Sequence, residues 1–482
     1  MAKAVFNIRP VRLRRLALCF IALAQCFSNR GYAQQTAKPP ERALTLDQAV
    51  DFALANYPAV RASLARAAAS GEGVSLSRTA YLPRTDLLWQ SNRATRNNIF
   101  GLLLPQSVVP PISGPALPTT SDRGAWGSAA GILISWEPFD FGYRGASVDV
   151  AKAAQNRATT ELSLTKLDVA AAVGDAFLAL AAAQQQVKAA QADVDRRQVL
   201  ANSVHALVKA ELRPGADSSR ADAELAAAKI QLIRAHELER ESEATFAQFL
   251  GIAGSKVDID ASSLLGKPPA PFASQASLTL HPLAQVFNSA LFEIRAKEKV
   301  LSKSYYPHFN LQGAFSGRGS GANNDGSFGT GTDGLGLERH NWAVGLTATF
   351  SVLDLPALHF KKQIEQSNER AQQAEYERTL QNLTAQSEKA KAAYEGAVLI
   401  SQSTPVELQA AQLGETQATA RYQAGLASIV EVADAERLLL QAEIEDNLAR
   451  LTVWRSLLGQ ALAQGDLQPF LDSARKSTSG GQ

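Results

Sequence analysis

Several short segments of the chain alternate between apolar positions and small or polar positions with a period of two. The clearest runs from Trp342 to Val352, and a similar run begins near Phe309. An earlier pair begins near Leu87 and continues between Trp126 and Trp136. This alternation is typical of strands with one large apolar face, so it predicts either a sandwich or a lipid-facing barrel. A small soluble sandwich packed on helices stays open as the alternative.

Tryptophan falls mainly on these strands. Four of the five tryptophans lie in or beside them: Trp89, Trp126, Trp136 and Trp342. Membrane barrels carry aromatic residues at both interfaces, so these four are predicted to form a barrel girdle in contact with outer-membrane lipid. Four strands are too few to close a barrel with a lumen, whereas three chains would supply twelve.

Two much longer stretches, rich in Ala, Leu, Gln and Glu, predict helices. The first spans about Tyr143 to Glu211 and the second about Ala357 to Gln423. At 1.5 Å per residue the first would be about 100 Å long. Helices of this length indicate packing side by side, as in coiled coils, rather than a compact globule.

The same plan occurs twice along the chain. YLPRTDL, starting at Tyr81, is echoed by YYPHFNL, starting at Tyr305, 224 positions later. Further matches follow in the same order, with offsets that fall to 208 between QFLGI and SLLGQ. A tandem duplication is predicted, with residues 34–264 as the first repeat and 265–470 as the second. Residues 471–482 are predicted to be a disordered tail.

The first residues resemble a secretory signal peptide. A basic segment precedes the apolar run LALCFIALAQCF, and Gly31-Tyr32-Ala33 offers a small-x-small cleavage site. Residues 1–33 are therefore predicted to be removed. Whether Cys26 is lipidated stays open. Beyond this segment we predict no apolar run long enough for a transmembrane helix.

Removal of residues 1–33 changes the charge and the cysteine content. Six basic residues leave, so 42 basic residues face 46 acidic ones and the net charge becomes −4. Such a chain has no general affinity for nucleic acid. Both cysteines also leave, which excludes disulfides, thiolate metal sites and cysteine catalysis from the mature chain.

No catalytic constellation is apparent. The six histidines show neither metal-ligand spacing nor pairing with a nucleophile motif. The glycine-rich stretch near Gly331 lacks the Lys-Ser/Thr ending of a phosphate-binding loop. We therefore expect no enzyme activity, no cofactor and no metal.

Each long helix ends at a glycine-containing break. Gly215 and Gly425 are predicted to supply the left-handed residue of a turn between two antiparallel helices. Ser428 suits the N-cap of the returning helix in the second repeat, and Asp217 or Ser218 suits it in the first.

The duplicated plan, Asn56-Tyr57-Pro58, the YLP and YYP strand starts and the RYQAG break make the sequence resemble the TolC-like outer-membrane efflux proteins. The resemblance implies a mainly α fold with β-strands. Three chains would share a 12-stranded outer-membrane barrel, with four strands from each, continued by a long periplasmic α-helical barrel.

It also implies a passive, gated exit duct of a tripartite efflux or type I secretion system for small molecules or proteins. The partners would be two further copies of the chain, a periplasmic adaptor (membrane fusion protein) and an inner-membrane pump. The cargo is not readable from the sequence. The alternative is a structural coiled-coil protein of the envelope without a pore.

The resemblance assigns roles at the second break. Glu431 and Asp434 would ring the constricted entrance, and Tyr422 would hold it closed. A further arginine link is expected after the glycine, but Ala427 occupies that position, and its expected acid falls at Ala221. The spacing by itself favours a local role, which is compatible with the first: Ser428-Ile-Val-Glu431 has the pattern of a capping box, and Asp434 is close enough to interact favourably with the helix N-terminus.

Overall fold

The computed structural model describes residues 42–95, 108–109, 120–266, 277–323 and 327–479, all within one structural unit. The predicted signal peptide, residues 1–33, lies outside the described residues. In chain order the elements are α1 (Leu46–Asn56), α2 (Pro58–Arg78), β1 (Arg84–Thr95), β2 (Gly124–Phe139), α3 (Tyr143–Lys209), α4 (Gly215–Phe249), α5 (Pro282–Lys303), β3 (His308–Ser320), β4 (Arg339–Thr349), α6 (Leu355–Gln423), α7 (Ile429–Gln464) and α8 (Gln468–Ser479).

The four strands form one antiparallel sheet in the order β1-β2-β3-β4. Each repeat contributes a hairpin, and the two hairpins meet where β2 pairs with β3. The register is continuous across the sheet: Leu87 lies opposite Ile132, Ile132 opposite Phe315, and Phe315 opposite Trp342. Because side chains alternate along a strand, this register places most of the large apolar residues of the four strands on one face, whereas Leu88 and Leu133 pack on the other.

That face is exposed in the single chain. Trp89 is 77% exposed and Trp342 is 78% exposed, on the two edge strands. The other large apolar residues exposed on this face are Leu87, Ile132, Ile134, Trp136, Leu311, Phe315, Val344 and Leu346. An apolar surface of this extent needs a lipid or protein covering.

The four tryptophans predicted as a girdle do not lie at one level of the sheet. Trp126 and Trp136 are ten residues apart on β2, which corresponds to about 33 Å of extended strand. Trp89 pairs with Ala130, between them. Trp342 is aligned across the sheet with Ile132, two residues along β2 from the level of Trp89. On a tilted strand, only the two tryptophans of β2 have a separation comparable to the height of a barrel's apolar band, about 25 Å.

The long helices match the sequence prediction closely. α3 has 67 residues and α6 has 69, and each is followed by a returning helix of about half that length. α6 continues through Pro405. Beside this proline, the buried Thr404 hydroxyl donates to Asp446 of α7 at 3.1 Å, so packing between helices supports the site where one backbone donor is missing.

Contrary to the sequence prediction, α3 contains a stretch long and apolar enough to cross a membrane by composition. Within the part of the chain that the structure describes, it is the one helix that passes this test, and 67% of the stretch is buried inside the protein. Its apolar residues include Phe177, Leu178 and Leu180, which are nearly inaccessible. The composition of this stretch therefore reflects packing against neighbouring helices.

The structure corrects the alignment of the two repeats. The offset is 224 residues at the starts of α2 and α5 and of β1 and β3. After the strand hairpins it is 214, as at the ends of α3 and α6 and the starts of α4 and α7. The loop between paired strands is ten residues shorter in the second repeat, which accounts for the whole change. The gradual fall to 208 expected from the sequence is wrong.

Two glycines confirm this correspondence. Gly251 and Gly465 follow the returning helices of their repeats, 214 residues apart, and both have φ of 79°. A Cβ on Gly251 would lie 3.3 Å from Tyr57 Cα, and one on Gly465 would lie 2.7 Å from Pro282 Cδ. Each glycine therefore allows the end of a repeat to pack against the X-Pro break at its beginning.

The predicted disordered tail, residues 471–482, is wrong for residues 471–479, which belong to α8. Phe470 is buried and makes an edge contact with the Trp454 ring of α7, with centroids 6.1 Å apart. Arg475 donates to Asp47 at 3.1 Å, which connects α8 to α1. The polar composition suggested disorder, but these long-range contacts stabilise a helix that could not form alone.

Candidate functional site at the hairpin tips

The two helix breaks have the same backbone geometry. In the first, the Leu212 N–H donates to Leu207 O at 2.9 Å. In the second, the Leu426 N–H donates to Arg421 O at 2.8 Å. Each bond spans five residues, as in the Schellman motif that ends many helices with one left-handed residue.

The left-handed residue is the predicted one in the second tip only. Gly425 has φ of 80°, whereas the equivalent residue of the first tip is Glu211, with φ of 59°. Gly215 is the first residue of α4 and is not left-handed, so its predicted role in the turn is wrong. The matching of Gly215 with Gly425 misplaced the first tip by four residues.

The returning helices start differently. Ser428 is the N-cap of α7, and its side chain accepts the Glu431 N–H at 3.3 Å. Glu431 Oε1 in turn accepts the Ser428 N–H, which completes a capping box. α4 is preceded by Pro214 without a side-chain cap, so the proposed capping by Asp217 or Ser218 is wrong.

Asp217 instead connects the two tips. It occupies the position in α4 that Glu431 occupies in α7, the third residue after the N-cap. The Tyr422 hydroxyl at the end of α6 donates to Asp217 Oδ2 at 3.1 Å. Because α4 and α6 belong to different repeats, this bond joins the first hairpin to the second.

A second contact lies on the other side of the same tyrosine. The Arg213 guanidinium carbon is 4.3 Å from the centre of the Tyr422 ring, and Nη2 donates to Tyr422 O. An arginine over an aromatic face is attracted by the ring quadrupole. We call the set Arg213, Tyr422 and Asp217 the tip clamp.

The tyrosine of the clamp stays neutral. Tyr422 is 1% exposed, and burial, together with the bond to Asp217, raises its pKa to about 12 although Arg213 acts in the opposite direction. The hydroxyl therefore keeps its proton and remains a donor to the carboxylate across the physiological pH range. Around it lies a shared apolar core that includes Val204, Leu225 and Val432.

The clamp explains the two positions at which the sequence departs from the resembled family. Arg213 of the first tip is equivalent to Ala427 of the second. The arginine that contacts Tyr422 therefore belongs to the first repeat and not to the second, where it was expected. The acid that meets Tyr422 is Asp217, and Ala221, where it was expected, is a buried residue of the apolar core. The sequence analysis did not identify Arg213 and Asp217 as partners of Tyr422. An alignment of the two repeats based on the ends of the long helices, 214 residues apart, would have identified both.

The two acids predicted at the entrance are exposed and each has an arginine nearby. Glu431 lies 3.9 Å from Arg421 across the turn. Asp434 lies 3.2 Å from Arg437, one helical turn further on. Both pairs are more than half exposed, so solvent screens them. A ring of these acids requires other copies of the chain, and that role stays a prediction.

Among the described residues, no group of three or more His, Cys, Asp or Glu side chains has the arrangement of a metal site. The arrangement at the tips can therefore hold two hairpins together and present carboxylates to solvent.

Comparison with known proteins gives a consistent assignment of the fold. The CmeC outer membrane channel of Campylobacter jejuni superposes with a TM-score of 0.70 at 15% identity, covering 92% of this chain and 94% of CmeC. The MtrE outer membrane channel of Neisseria gonorrhoeae, solved in its open state, superposes with a TM-score of 0.69 at 19% identity, covering 87% of this chain and 89% of MtrE.

Protein CyaE of Bordetella pertussis is 25% identical over 232 residues, which is 48% of this chain and 43% of CyaE. The match therefore spans less than half of that relative's length. The model of the family described as outer membrane efflux protein matches residues 49–252 and 284–462. These two ranges comprise most of the chain and one falls in each repeat, so the protein belongs to the outer membrane efflux protein family.

Proposed function

We propose that three copies of the chain form an exit duct, in which a shared barrel crosses the outer membrane and the helices extend into the periplasm. The family and the folds of its solved relatives support this location. Members of the family are trimers that work with an adaptor and an inner-membrane pump. They are channels and not enzymes.

One observation carries the proposal: the four-stranded sheet is incomplete in a single chain. Its large apolar face is exposed, and both edge strands, β1 and β4, lack a second neighbour in the described chain. Unpaired edges are costly in lipid, where only closed barrels or helices satisfy all backbone groups. Three sheets joined edge to edge give a closed 12-stranded barrel wide enough for a lumen.

The helices supply the rest of the duct. At 1.5 Å per residue, α3 and α6 are each about 100 Å long, far more than a membrane requires. They begin directly after the strands and end at the tips. The tips therefore lie at the end of the protein furthest from the barrel, where a duct open to an inner-membrane pump would need its entrance.

Planar-bilayer conductance of the purified protein tests the duct. We expect a trimer that inserts and conducts in small steps, because the clamped tips restrict the entrance. The rival class, a coiled-coil envelope protein without a pore, predicts no conductance even after the clamp is removed by Arg213→Ala with Asp217→Ala. A trimer that remains silent in that variant would count against a duct.

The entrance acids give a prediction of their own. Glu431→Ala with Asp434→Ala removes up to six carboxylates from one narrow axis in a trimer, so the ratio of cation to anion permeability should fall several-fold. The measurement is the reversal potential in a salt gradient. Glu237→Ala with Glu241→Ala, two exposed acids of α4 distant from the turn, is the matched control and should keep the ratio. Equal ratios in both variants would leave Glu431 with its capping role alone.

The cargo and the partner pump remain proposals of a general kind: an efflux pump for small molecules or a type I secretion system for proteins. An adaptor seated against the long helices would release the clamp, and the energy for transport would come from the pump. Co-purification of the trimer with an adaptor and pump, after cross-linking in cells, would identify the system.

A further inference from the structure

A group of ionisable side chains is buried between the helices above the tips. Arg197 of α3 lies at its centre and is 6% exposed. Its Nε donates to Asp193 Oδ2 at 2.9 Å, and Nη1 donates to Glu224 Oε2 of α4 at 3.0 Å. Glu436 of α7 approaches the same Nη1 at 3.8 Å, beyond hydrogen-bond distance.

The neighbouring arginine, Arg196, does not donate a hydrogen bond to Glu436 either. Arg196 donates through both terminal nitrogens to Glu443 of α7, each at 2.9 Å. Glu436 Oε2 and Asp193 Oδ1 are consequently buried without a hydrogen-bond partner. Glu436 is 2% exposed. An ionised carboxylate in this position is largely withdrawn from solvent. The guanidinium of Arg197, 3.8 Å away, compensates for this loss only in part.

Negative charge is in excess around Glu436. The charged groups that line the two cavities beside this cluster, or pair with its members, are Asp193, Asp195, Arg196 and Arg197 from α3, Arg220, Glu224 and Arg234 from α4, Glu415 from α6, and Arg437, Glu443 and Glu445 from α7. With Glu436 ionised, seven carboxylates face five guanidiniums. One of these, Arg220, reaches only the outer carboxylate Glu224, at 3.4 Å.

The cluster is connected to the tip clamp by a cavity. A pocket of about 390 Å³ is lined both by residues of the cluster, including Glu436, Arg196 and Glu415, and by Tyr422 of the clamp. It lies between α3, α6 and α7, the helices of both repeats that would separate if the tips parted. Water that enters it reaches the unpartnered carboxylate and the clamp together.

We infer that Glu436 is a proton-binding site that couples the packing of α3, α6 and α7 at the tips to pH. The protonated side chain is neutral and keeps the helices packed. Loss of the proton places a negative charge that has no hydrogen-bond partner at Oε2 beside Asp193 and Glu415, and the repulsion is relieved when the helices part and water enters. This inference rests on the proposed duct, in which such parting widens the entrance.

The direction of the pH dependence follows from the shift. Burial, and to a smaller extent the negative charges of Asp193 and Glu415, raises the pKa of Glu436 to about 7 against the opposing effects of Arg197 and Arg196. An unfolded chain has the ordinary value of 4.5. Between these values only the folded state holds the proton, so the stabilisation is complete below pH 4.5 and is lost as the pH rises through about 7.

The test compares wild type with Glu436→Gln, a neutral mimic of the protonated side chain, as purified trimers. In wild type the melting temperature should fall, and the open probability in bilayers should rise, with a midpoint near pH 7. In Glu436→Gln both should stay at their acidic values. Glu407→Gln is the matched control, since Glu407 is an exposed acid of α6 that lines neither of the cavities beside the cluster. It should behave as wild type.

The outcomes separate this inference from the duct. A conducting trimer whose pH dependence is the same in wild type and Glu436→Gln overturns the proton site and leaves the duct intact. A silent trimer whose melting temperature loses its pH dependence in Glu436→Gln keeps the proton site and counts against the duct. If the variant does not assemble, infrared spectroscopy of the wild type decides: a protonated carboxylic acid band that does not titrate near pH 7 overturns the inference.

Discussion

At the scale of single residues, the two tips reach one backbone shape with different residues. Gly425 adopts its left-handed conformation without a Cβ, whereas Glu211 adopts the equivalent conformation with one. A left-handed non-glycine residue costs roughly 1 to 2 kcal/mol. The first tip therefore stores strain that the second does not, and the glycine near it, Gly215, does nothing to relieve it.

Alanine substitution at the two glycines tests this difference. Gly425→Ala should lower the free energy of unfolding by about 1 kcal/mol, because the left-handed conformation disfavours a Cβ although no atom obstructs it. Gly215→Ala, with equal space around it and ordinary helical backbone, should raise stability by about 0.5 kcal/mol. Urea unfolding of the trimer measures both. Equal losses in the two variants would contradict the assignment of the turn residue.

At the scale of helices, the clamp holds two hairpins that share few other polar contacts at their tips. Tyr422 belongs to the second repeat, and both of its side-chain partners, Arg213 and Asp217, belong to the first. The contact is therefore between repeats and within one chain. Separation of the hairpins must break it, and in the proposed duct such separation widens the entrance.

Removal of one hydroxyl tests the clamp. Tyr422→Phe keeps the ring beneath Arg213 but deprives the Asp217 carboxylate of its donor, at a cost of about 1 to 3 kcal/mol. The basal open probability in planar bilayers should rise. Tyr376→Phe, at a half-buried tyrosine of the same helix, is the control and should leave it unchanged. If Tyr422→Phe has the same open probability as the control, the Tyr422 hydroxyl does not contribute to closing the channel.

At the scale of the whole molecule, the sheet is the part that cannot be stable alone. Its apolar face and its two free edges are satisfied together if the strands of three chains close into one barrel in lipid. The helices pack against one another within the chain along part of their surface, although apolar residues such as Leu399, Val406 and Leu413 of α6 are also exposed. Assembly and membrane insertion are therefore expected to depend on the sheet.

A lysine placed on one face or the other of the edge strand β4 tests which face is in contact with lipid. Val344→Lys on β4 puts a charge on the apolar face, where lysine at the middle of a bilayer costs about 2 to 4 kcal/mol. Thr347→Lys places it on the opposite face of the same strand, towards the proposed lumen. The first variant should reduce the heat-sensitive trimer in outer-membrane fractions, and the second should preserve it. Similar losses in both would argue against lipid on that face.

Much of the fold was predictable because it depends on local pattern. Period-two alternation identified the strands, and unbroken helical composition identified α3 and α6 within a few residues of their ends. The capping box at Ser428 and Glu431 was equally readable, because it joins residues three apart in one turn. Helix α8 was missed, since contacts such as that between Arg475 and Asp47 join residues far apart in the chain.

The sequence by itself determined the repeat plan, the strand faces, the long helices and the resemblance to outer-membrane efflux proteins, because each follows from the order and period of residue types. Only the tertiary structure decided that Arg213 and Asp217 meet Tyr422 and that Glu436 Oε2 is buried without a hydrogen-bond partner. Those contacts depend on how two hairpins lie against each other. A one-dimensional offset that is wrong by four residues, about one helical turn, placed the acid expected opposite Tyr422 at Ala221 instead of Asp217.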